Sequence, residues 1–379
     1  MVNTPCFMVV GIDASRAYLR RRTGIEEYSY QIIRHLRDEL LDETVILYVR
    51  KTIGFRNGRI QFVLPEIDFE LPPKWRVKGL WAPRFWTQVR LSLEMVFHAP
   101  DTLFVPAHTV PLIHPERTVV TVHGLEYERS PESYGFWERL YMRWSIRYSV
   151  HAAKRVIAVS ENTKRDLMQL YGVPERKIRV VYEGINNENL ESSILSLASN
   201  TVYSIPNTEY FFFVGRLETR KNIVRMIEAF EIFKTKTGLK QGLVLAGKPG
   251  YGYEHIKKRI RESRYQKEIY ELGYVDEAEK WRLLKGAEAF LFPSLYEGFG
   301  LPVIEAQSIG VPVITSTTSS LPEIAGEGAL FVDPLQPKAI AEAMEMLVTD
   351  PTKRADIIEE ATRNADRFSW AHCAREVAV

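Results

Sequence analysis

Two series of short apolar runs, each alternating with amphipathic stretches, constrain this chain more than anything else in it. In the first half the runs are FMVVGI (7–12), VILYV (45–49), TLFV (102–105), TVVTV (118–122), RVIAV (155–159) and IRVVY (178–182). Runs that are apolar throughout, not at every second residue, suit strands buried on both faces of a helix-covered parallel sheet. Helical patterns lie between several of them, at 25–41, 84–97, 133–152 and 161–171, and Ser160 stands where it can cap the last. The second half repeats the scheme with EYFFFVG (209–215), GLVLAG (242–247), IYELGYV (269–275), EAFLFPS (288–294), VPVITS (311–316) and ALFVD (329–333). Its helices fall at about 222–237, 253–264, 277–286, 302–309 and 336–349. Such alternation predicts two doubly wound α/β domains.

A length of 379 residues suits two domains. The stretch 184–208 is polar, rich in Asn and Ser, and without helix or strand periodicity, so it reads as the linker. The expected division is 1–184, a linker at 185–208, and 209–364, with a C-terminal helix at about 365–379 able to pack back on the first domain. The ligand site of such a pair is expected in the cleft between the domains, at the carboxyl ends of the strands. Two cysteines at opposite ends, Cys6 and Cys373, make neither a disulfide framework nor a metal cluster and fit a reducing compartment. No run approaches the roughly 18 apolar residues of a spanning helix, and FMVVGI lacks a signal-peptide layout. The expectation is a cytoplasmic protein, or one resting on the cytoplasmic face of the inner membrane. The net charge of +2 argues against nucleic acid as a partner, but it is unevenly spread. Residues 1–185 hold 27 basic against 21 acidic residues, a balance of +6, which leaves −4 for the rest.

The densest chemical signal is FPSLYEGFGLPVIEAQSIGVPVI (292–314). A strand end is followed by a turn carrying Gly298 and Gly300, and Leu301-Pro302 then opens a helix. Free N–H groups at that helix start suit a diphosphate. Glu297 and Glu305, eight apart, can each accept two hydroxyl hydrogen bonds and so suit a sugar ring and a ribose. The plainer alternative makes Glu305 a dipole-favouring helix acid and Glu297 a solvated loop acid. In FVGRLETRKNI (213–223), Arg216 just after a strand and Lys221 at a helix start can grip a diphosphate and stabilise it as it leaves. Most Arg and Lys are ordinary surface charges; the coincidence with a helix start favours function here. No G-x-G-x-x-G or Walker loop is present, and HTVPLIH (108–114) and HGLEYE (123–128) lack zinc spacing. Asp13, near the end of the first strand, reads as structural.

FVGRLETRKN, LAGKPG, LGYV, FPSLYEGFGLPVIEA and SSLPEIAGEGALFVDP together resemble the donor half of glycosyltransferase family 4, retaining enzymes of GT-B fold. GIDAS (11–15), TGIEEYS (23–29), TVHGLEYERSP (121–131) and AVSENTKRDL (158–167) extend the resemblance over essentially the whole chain. The pattern is most similar to bacterial mannosyl- and glucosyltransferases of surface polysaccharide synthesis. The resemblance implies that Arg216 and Lys221 hold the donor diphosphate. Glu297 would touch the transferred sugar, with the backbone of Gly298, Phe299, Gly300 and Leu301 around sugar and phosphate, and Glu305 would take the ribose. Gly273, Tyr274 and Val275 would border the base, Gly24 would let the backbone approach the diphosphate, and His123 would sit over the reacting sugar. The family often has His-Asp at that corner, where this chain has His123-Gly124.

These readings converge on a GT-B glycosyltransferase, two doubly wound Rossmann-like domains facing across a cleft. It is expected to need no metal and no cofactor beyond its donor, GDP-mannose or UDP-glucose, and to use a glycan or polyisoprenyl-diphosphate-linked acceptor. A nucleotide-sugar 2-epimerase of the same fold, or a non-catalytic sugar-nucleotide-binding protein, are the rivals. Trp75, Trp81, Trp86, Trp137 and Trp144 are interleaved with cations, and Arg20, Arg21 and Arg22 add a basic run. Rings and cations together suit a peripheral membrane contact through the N-terminal domain. The alternative puts the tryptophans in the core and the arginines on a solvated face.

Overall fold

The computed structural model describes residues 8–19, 22–56, 59–82, 85–185 and 209–378. Cys6, Arg20, Arg21 and the expected linker beyond Ile185 lie outside them. The chain divides into two units, one of Met1–Leu125, Phe136–Gly184 and Trp370–Val379, the other of Glu126–Gly135 and Ile185–Ser369. The C-terminal helix Trp370–Ala378 therefore belongs to the first unit, where it packs on the helix Gly24–Glu39. The segment Glu126–Gly135 belongs to the second.

The first unit's strands are β1 (Val9–Asp13), β2 (Thr44–Arg50), β3 (Thr52–Arg56), β4 (Arg59–Val63), β5 (Trp75–Leu80), β6 (Thr102–Val105), β7 (Arg117–Val122), β8 (Arg155–Ala158) and β9 (Ile178–Val180). Seven form one sheet in the order β5-β2-β1-β6-β7-β8-β9, while β3 and β4 make a separate antiparallel hairpin. The seven pair in parallel; Val9 of β1 sits opposite Thr44 of β2, for example. The strand β5 and the hairpin were not among the expected strands. WRVKGL carries Arg76 and Lys78 at alternate positions, as an edge strand wet on one face tolerates, so it shows no continuous apolar run.

The second unit holds β10 (Tyr210–Val214), β11 (Gly242–Ala246), β12 (Ile269–Gly273), β13 (Ala289–Phe292), β14 (Val313–Ser316) and β15 (Ala329–Val332), in the order β12-β11-β10-β13-β14-β15, again parallel. Phe211, Phe212 and Phe213 of β10 and Phe290 and Phe292 of β13 are fully buried at the centre of its core. Truncating one such Phe to Ala typically costs about 3–5 kcal/mol. Their unbroken apolar run is the physical reason β10 must lie inside a sheet with both faces covered.

Helix starts follow local chemistry. Ser160 Oγ accepts the Thr163 amide at 3.0 Å and begins the helix Glu161–Tyr171, which ends at Gly172 with φ 65. Thr23 and Glu26 form a capping box before Gly24–Glu39, with the Glu26 carboxylate accepting the Thr23 amide at 3.2 Å. Strand order reverses between β1 and β6 in the first sheet and between β10 and β13 in the second. Loops at the carboxyl ends of those neighbours splay apart and leave a crevice, the usual ligand position of an open α/β sheet.

Candidate active site

In the second unit the crevice is built by the loops after β10 and β13. After β10, Gly215 leads to a single 3-10 turn, Thr219–Lys221. Asn222 follows at φ 63, and the helix Ile223–Thr237 begins. Asn is one of the few non-glycine residues that tolerates that conformation. Its Nδ2 donates to the carbonyls of Pro293 at 3.0 Å and Pro334 at 2.7 Å, tying the turn to the loops after β13 and β15. The Leu295 amide donates to the Arg220 carbonyl at 2.9 Å. The two loops are thus one rigid piece.

Glu297 lies in the middle of it, 7% exposed. Lys221 Nζ donates to its Oε1 at 2.5 Å and Arg220 Nη1 to its Oε2 at 3.0 Å. Arg220 also donates to the Tyr296 carbonyl at 2.7 Å and, through Nη2, to Glu218 at 2.7 Å. Burial works against a charged Glu297, but Arg220 and Lys221 outweigh it, and the carboxyl titrates at about 2. Burial, reinforced by neighbouring Arg220, holds the Lys221 ammonium below the ordinary lysine range despite Glu297. Glu126, from the segment Glu126–Gly135, lies in the field of the same three groups, and burial pushes its carboxyl up against the pull of Arg220. One acid is held ionised and its neighbour is pushed toward protonation.

Just beyond Glu297, the Ser320 hydroxyl donates to the carbonyls of Glu297 and Phe299, at 3.0 and 2.6 Å. Gly300 follows at φ 124, where a Cβ would meet Leu321 Cδ2 at 3.0 Å. The helix Leu301–Ser308 then starts with Pro302 in its first turn, presenting its N-terminal dipole beside the Glu297 cluster. Phe299 is buried edge-on against Phe368 at 5.9 Å. Glu305, one turn into the helix, accepts from Lys280 Nζ at 2.8 Å. Burial opposes the charge on Lys280, yet Glu305 and Glu277 raise its pKa well above the ordinary value.

The loops after β10, β11 and β12 meet backbone to backbone. The Gly247 amide donates to the Gly273 carbonyl at 2.6 Å, and a Cβ on Gly247, at φ 145, would stand 1.7 Å from the Gly215 carbonyl oxygen. Gly273 has φ 69; Tyr274 beyond it is half exposed with Lys248 Nζ 4.7 Å above its ring, and Val275 is buried. Arg216 is exposed and makes no hydrogen bond or ion pair among the described residues; its stem lies over Gly250. The structure therefore joins Lys221 to Glu297 and Glu305 to Lys280, and leaves Arg216 apart from the Glu297 cluster.

In the first unit, Gly24 opens its helix with nothing within 4 Å of where a Cβ would be. His123, at the end of β7, is 7% exposed. Its Nδ1 lies 3.1 Å from Glu183 Oε1 and its Nε2 2.8 Å from the Pro106 carbonyl. An acceptor thus faces each of the two ring nitrogens and fixes the ring's orientation. The Tyr28 ring meets it edge-on at 4.5 Å. Gly124 has φ 147, which an Asp in that place would not adopt without strain. The carboxylate beside His123 is that of Glu183, just past the strand run 178–182.

Sequence reasoning missed Glu183, Arg220, Glu126 and His108. Glu183 was detectable as an acid at a strand's carboxyl end. Arg220 adjoins Lys221, but nothing in the string marks it as the second ligand of Glu297. His108, in a segment set aside for lack of zinc spacing, holds φ 30 with its Nδ1 unpartnered among the described residues. Burial first, and then His123 at 5.2 Å between ring centroids, keeps its pKa well below the ordinary range. No group of three His, Cys, Asp or Glu stands together as a metal site among the described residues.

Residues 22–189 match the model described as Glycosyltransferase Family 4, and residues 201–364 that described as glycosyl transferases group 1. The chain is 28% identical to O-antigen chain mannosyltransferase B of Escherichia coli over 284 residues, 75% of this chain and 73% of that one. It is 25% identical to O-antigen chain mannosyltransferase RfbU of Salmonella typhimurium over 327 residues, 85% of this chain and 86% of that one. Among solved structures it superposes on sucrose-phosphate synthase from Thermosynechococcus elongatus with a TM-score of 0.73 at 19% identity, over 98% of this chain and 97% of that one.

Proposed function

The chain belongs to the family 4 glycosyltransferases of GT-B fold, and from that premise we propose a retaining hexosyltransferase of surface-polysaccharide synthesis. Its donor would be a nucleotide-diphosphate sugar and its acceptor a hydroxyl of a glycan, carried on a polyisoprenyl diphosphate at the cytoplasmic face of the inner membrane. The two relatives named as O-antigen chain mannosyltransferases favour mannose, hence GDP-mannose ahead of UDP-glucose.

The observation that carries the reading is the Glu297 cluster at the switch point of the second sheet. A carboxylate kept ionised at about pKa 2, two cations and a helix N-terminus stand together there. The carboxylate suits the hydroxyls of the sugar; Lys221 and the helix dipole suit the diphosphate, while Arg220 holds the carboxylate in place. Transfer would break the bond between the anomeric carbon and the β-phosphate oxygen while the acceptor oxygen bonds that carbon on the same face. The acceptor proton would pass to the departing phosphate oxygen, so no protein nucleophile is needed. Lys221, with Arg216 reaching in from its exposed position, would take up the charge developing on the phosphate. That charge neutralisation is the reason no metal ion is invoked. Glu305 would take the ribose and Gly273–Val275 the edge of the base.

A thermal-shift panel of nucleotide sugars tests the donor: ligand at about 100 times its dissociation constant adds about 2.7 kcal/mol of stability. Acceptor-dependent release of nucleoside diphosphate, with NMR of the product's anomeric proton, tests transfer and retention. Free sugar formed from donor alone, at a rate unaffected by acceptor, would refute transfer and leave the epimerase chemistry.

A further inference from the structure

The helix Phe136–Ala152 of the first unit is amphipathic the wrong way round for a surface helix. The face it turns inward is small and half hydroxylic: Ser145, Ile146, Ser149 and Val150. Ser149 Oγ accepts the Val110 amide at 2.9 Å and donates to the Ser145 carbonyl at 2.7 Å, so this face is tied down by hydrogen bonds as well as by packing. The outward face carries the rings. Trp137 is 77% exposed, Phe136 74% and Trp144 50%, with Leu140 and Tyr141 beside them. Trp144 stacks on Tyr148 at 6.1 Å, and the Phe136 and Trp137 rings meet edge-on at 5.2 Å. An ordinary surface helix buries such residues and exposes the serines.

A second exposed stripe continues it. Phe85, Val89, Leu93, Val96 and Phe97 recur on the outside of the π-helical turn Trp86–Leu91 and the helix Ser92–His98. The two stripes are joined through Leu112 and Ile113, both exposed: Tyr148 Oη donates to the Leu112 carbonyl at 2.9 Å, and the Ile113 amide donates to Ser92 Oγ at 3.3 Å. Contiguous apolar exposure of this extent marks an interaction surface. Its charge identifies the occupant. Arg139, Arg143 and Arg147 follow one another at four-residue intervals, His151 continues the row, and Glu138 is the helix's one acid. Shallow hollows beside Trp144 are lined by Arg143, Arg147, Tyr148 and His151. A two-fold contact with a second copy would set this arginine row against itself. Anionic headgroups complement it, with the rings lying at headgroup depth. No described helix is long and apolar enough to cross a membrane, so the fit is to a surface.

We propose that the face made by Phe136–Ala152, Leu112–Ile113 and the Phe85–His98 stretch is the one on which this chain rests on an anionic membrane. The proposal deepens the lipid-linked acceptor reading given above, but vesicle binding is measured without donor or acceptor. The test uses the full chain with vesicles of phosphatidylcholine alone and of phosphatidylcholine mixed with phosphatidylglycerol, by co-sedimentation and tryptophan emission. Wild type should pellet with the anionic vesicles at low salt, with a blue-shifted emission, and be released at high salt. Arg143→Gln with Arg147→Gln should weaken partitioning by about 25-fold, some fivefold per cation. Trp137→Ser with Trp144→Ser should abolish the emission shift. Both variants should keep the wild-type melting temperature and circular dichroism. Wild type that does not pellet at low salt, or folded variants that bind like wild type, would overturn the proposal. So would a dimer seen by light scattering that the tryptophan variant dissolves, which would assign the face to a second copy. Vesicle binding by a chain that fails the nucleotide-sugar panel would sink the transferase reading alone.

Discussion

Glu297 is held by one cation that transfer would also use, Lys221, and by one that it would not, Arg220. Arg220 and Lys221 make the carboxyl far more acidic than the ordinary value of 4.5, down to about 2. The sign follows: a depressed folded pKa contributes stability that is complete above pH 4.5 and is lost as pH falls toward 2. The gap in unfolding free energy between wild type and Glu297→Gln should therefore shrink by on the order of 3 kcal/mol across that window. Denaturant titrations at stepped pH measure it, and a flat gap would contradict the assignment. Arg220→Gln should move the window to higher pH while leaving nucleoside diphosphate affinity near wild type, because Arg220 acts through Glu297 and Tyr296. Arg216→Ala and Lys221→Ala should each slow turnover by about 100-fold, the scale for one preorganised donor to developing charge. Steady-state rates with saturating donor check this, and the loss should fall on turnover more than on donor affinity.

The site's shape is decided by how strand-end loops close on one another. Gly247 is the tightest point, since a Cβ there would stand 1.7 Å from the carbonyl oxygen of Gly215. That oxygen belongs to the loop leading to Arg216 and Lys221, so backbone on one side or the other must move. Gly247→Ala should cost several kcal/mol, as substitutions that force strain at a special φ do, and should lower nucleoside diphosphate affinity with it. A urea midpoint and calorimetric affinity both within error of wild type would show that the close approach is dispensable. Ser160 illustrates the gentler case of a cap contributing about 1 kcal/mol to a helix end.

The path of the chain places its last helix with its first. Trp370, Cys373 and Ala374 are buried within the first unit, on the Gly24–Glu39 helix, although nearly the whole second unit separates them in sequence. The Tyr28 ring, which meets His123, also meets Trp370 at 5.8 Å. Removing Trp370–Val379 should thus destabilise the first unit selectively and loosen His123, while the second keeps its nucleotide-dependent stabilisation. Calorimetry of the truncated chain should show one transition shifted down and the other unmoved; two unmoved transitions would refute the coupling.

Two parallel sheets, their strands and most of their helices were legible from the sequence, because a strand buried on both faces must be apolar throughout and a covering helix must be amphipathic. The turn before Leu301-Pro302 and the placing of Lys221, Glu297 and Glu305 beside helix starts were legible for a related reason, since glycine, proline and a helix start leave local marks. Strand β5 was not, because an edge strand wet on one face needs no continuous apolar run. Neither the salt-bridge partners of Glu297 nor the Glu183 partner of His123 could be read, as pairs 77 and 60 residues apart meet only through sheet order. The tryptophans make the same point: Trp75 and Trp86 are core, whereas Trp137 and Trp144 face outward. Composition supplies rings and cations, but only packing decides which side of a helix the protein covers.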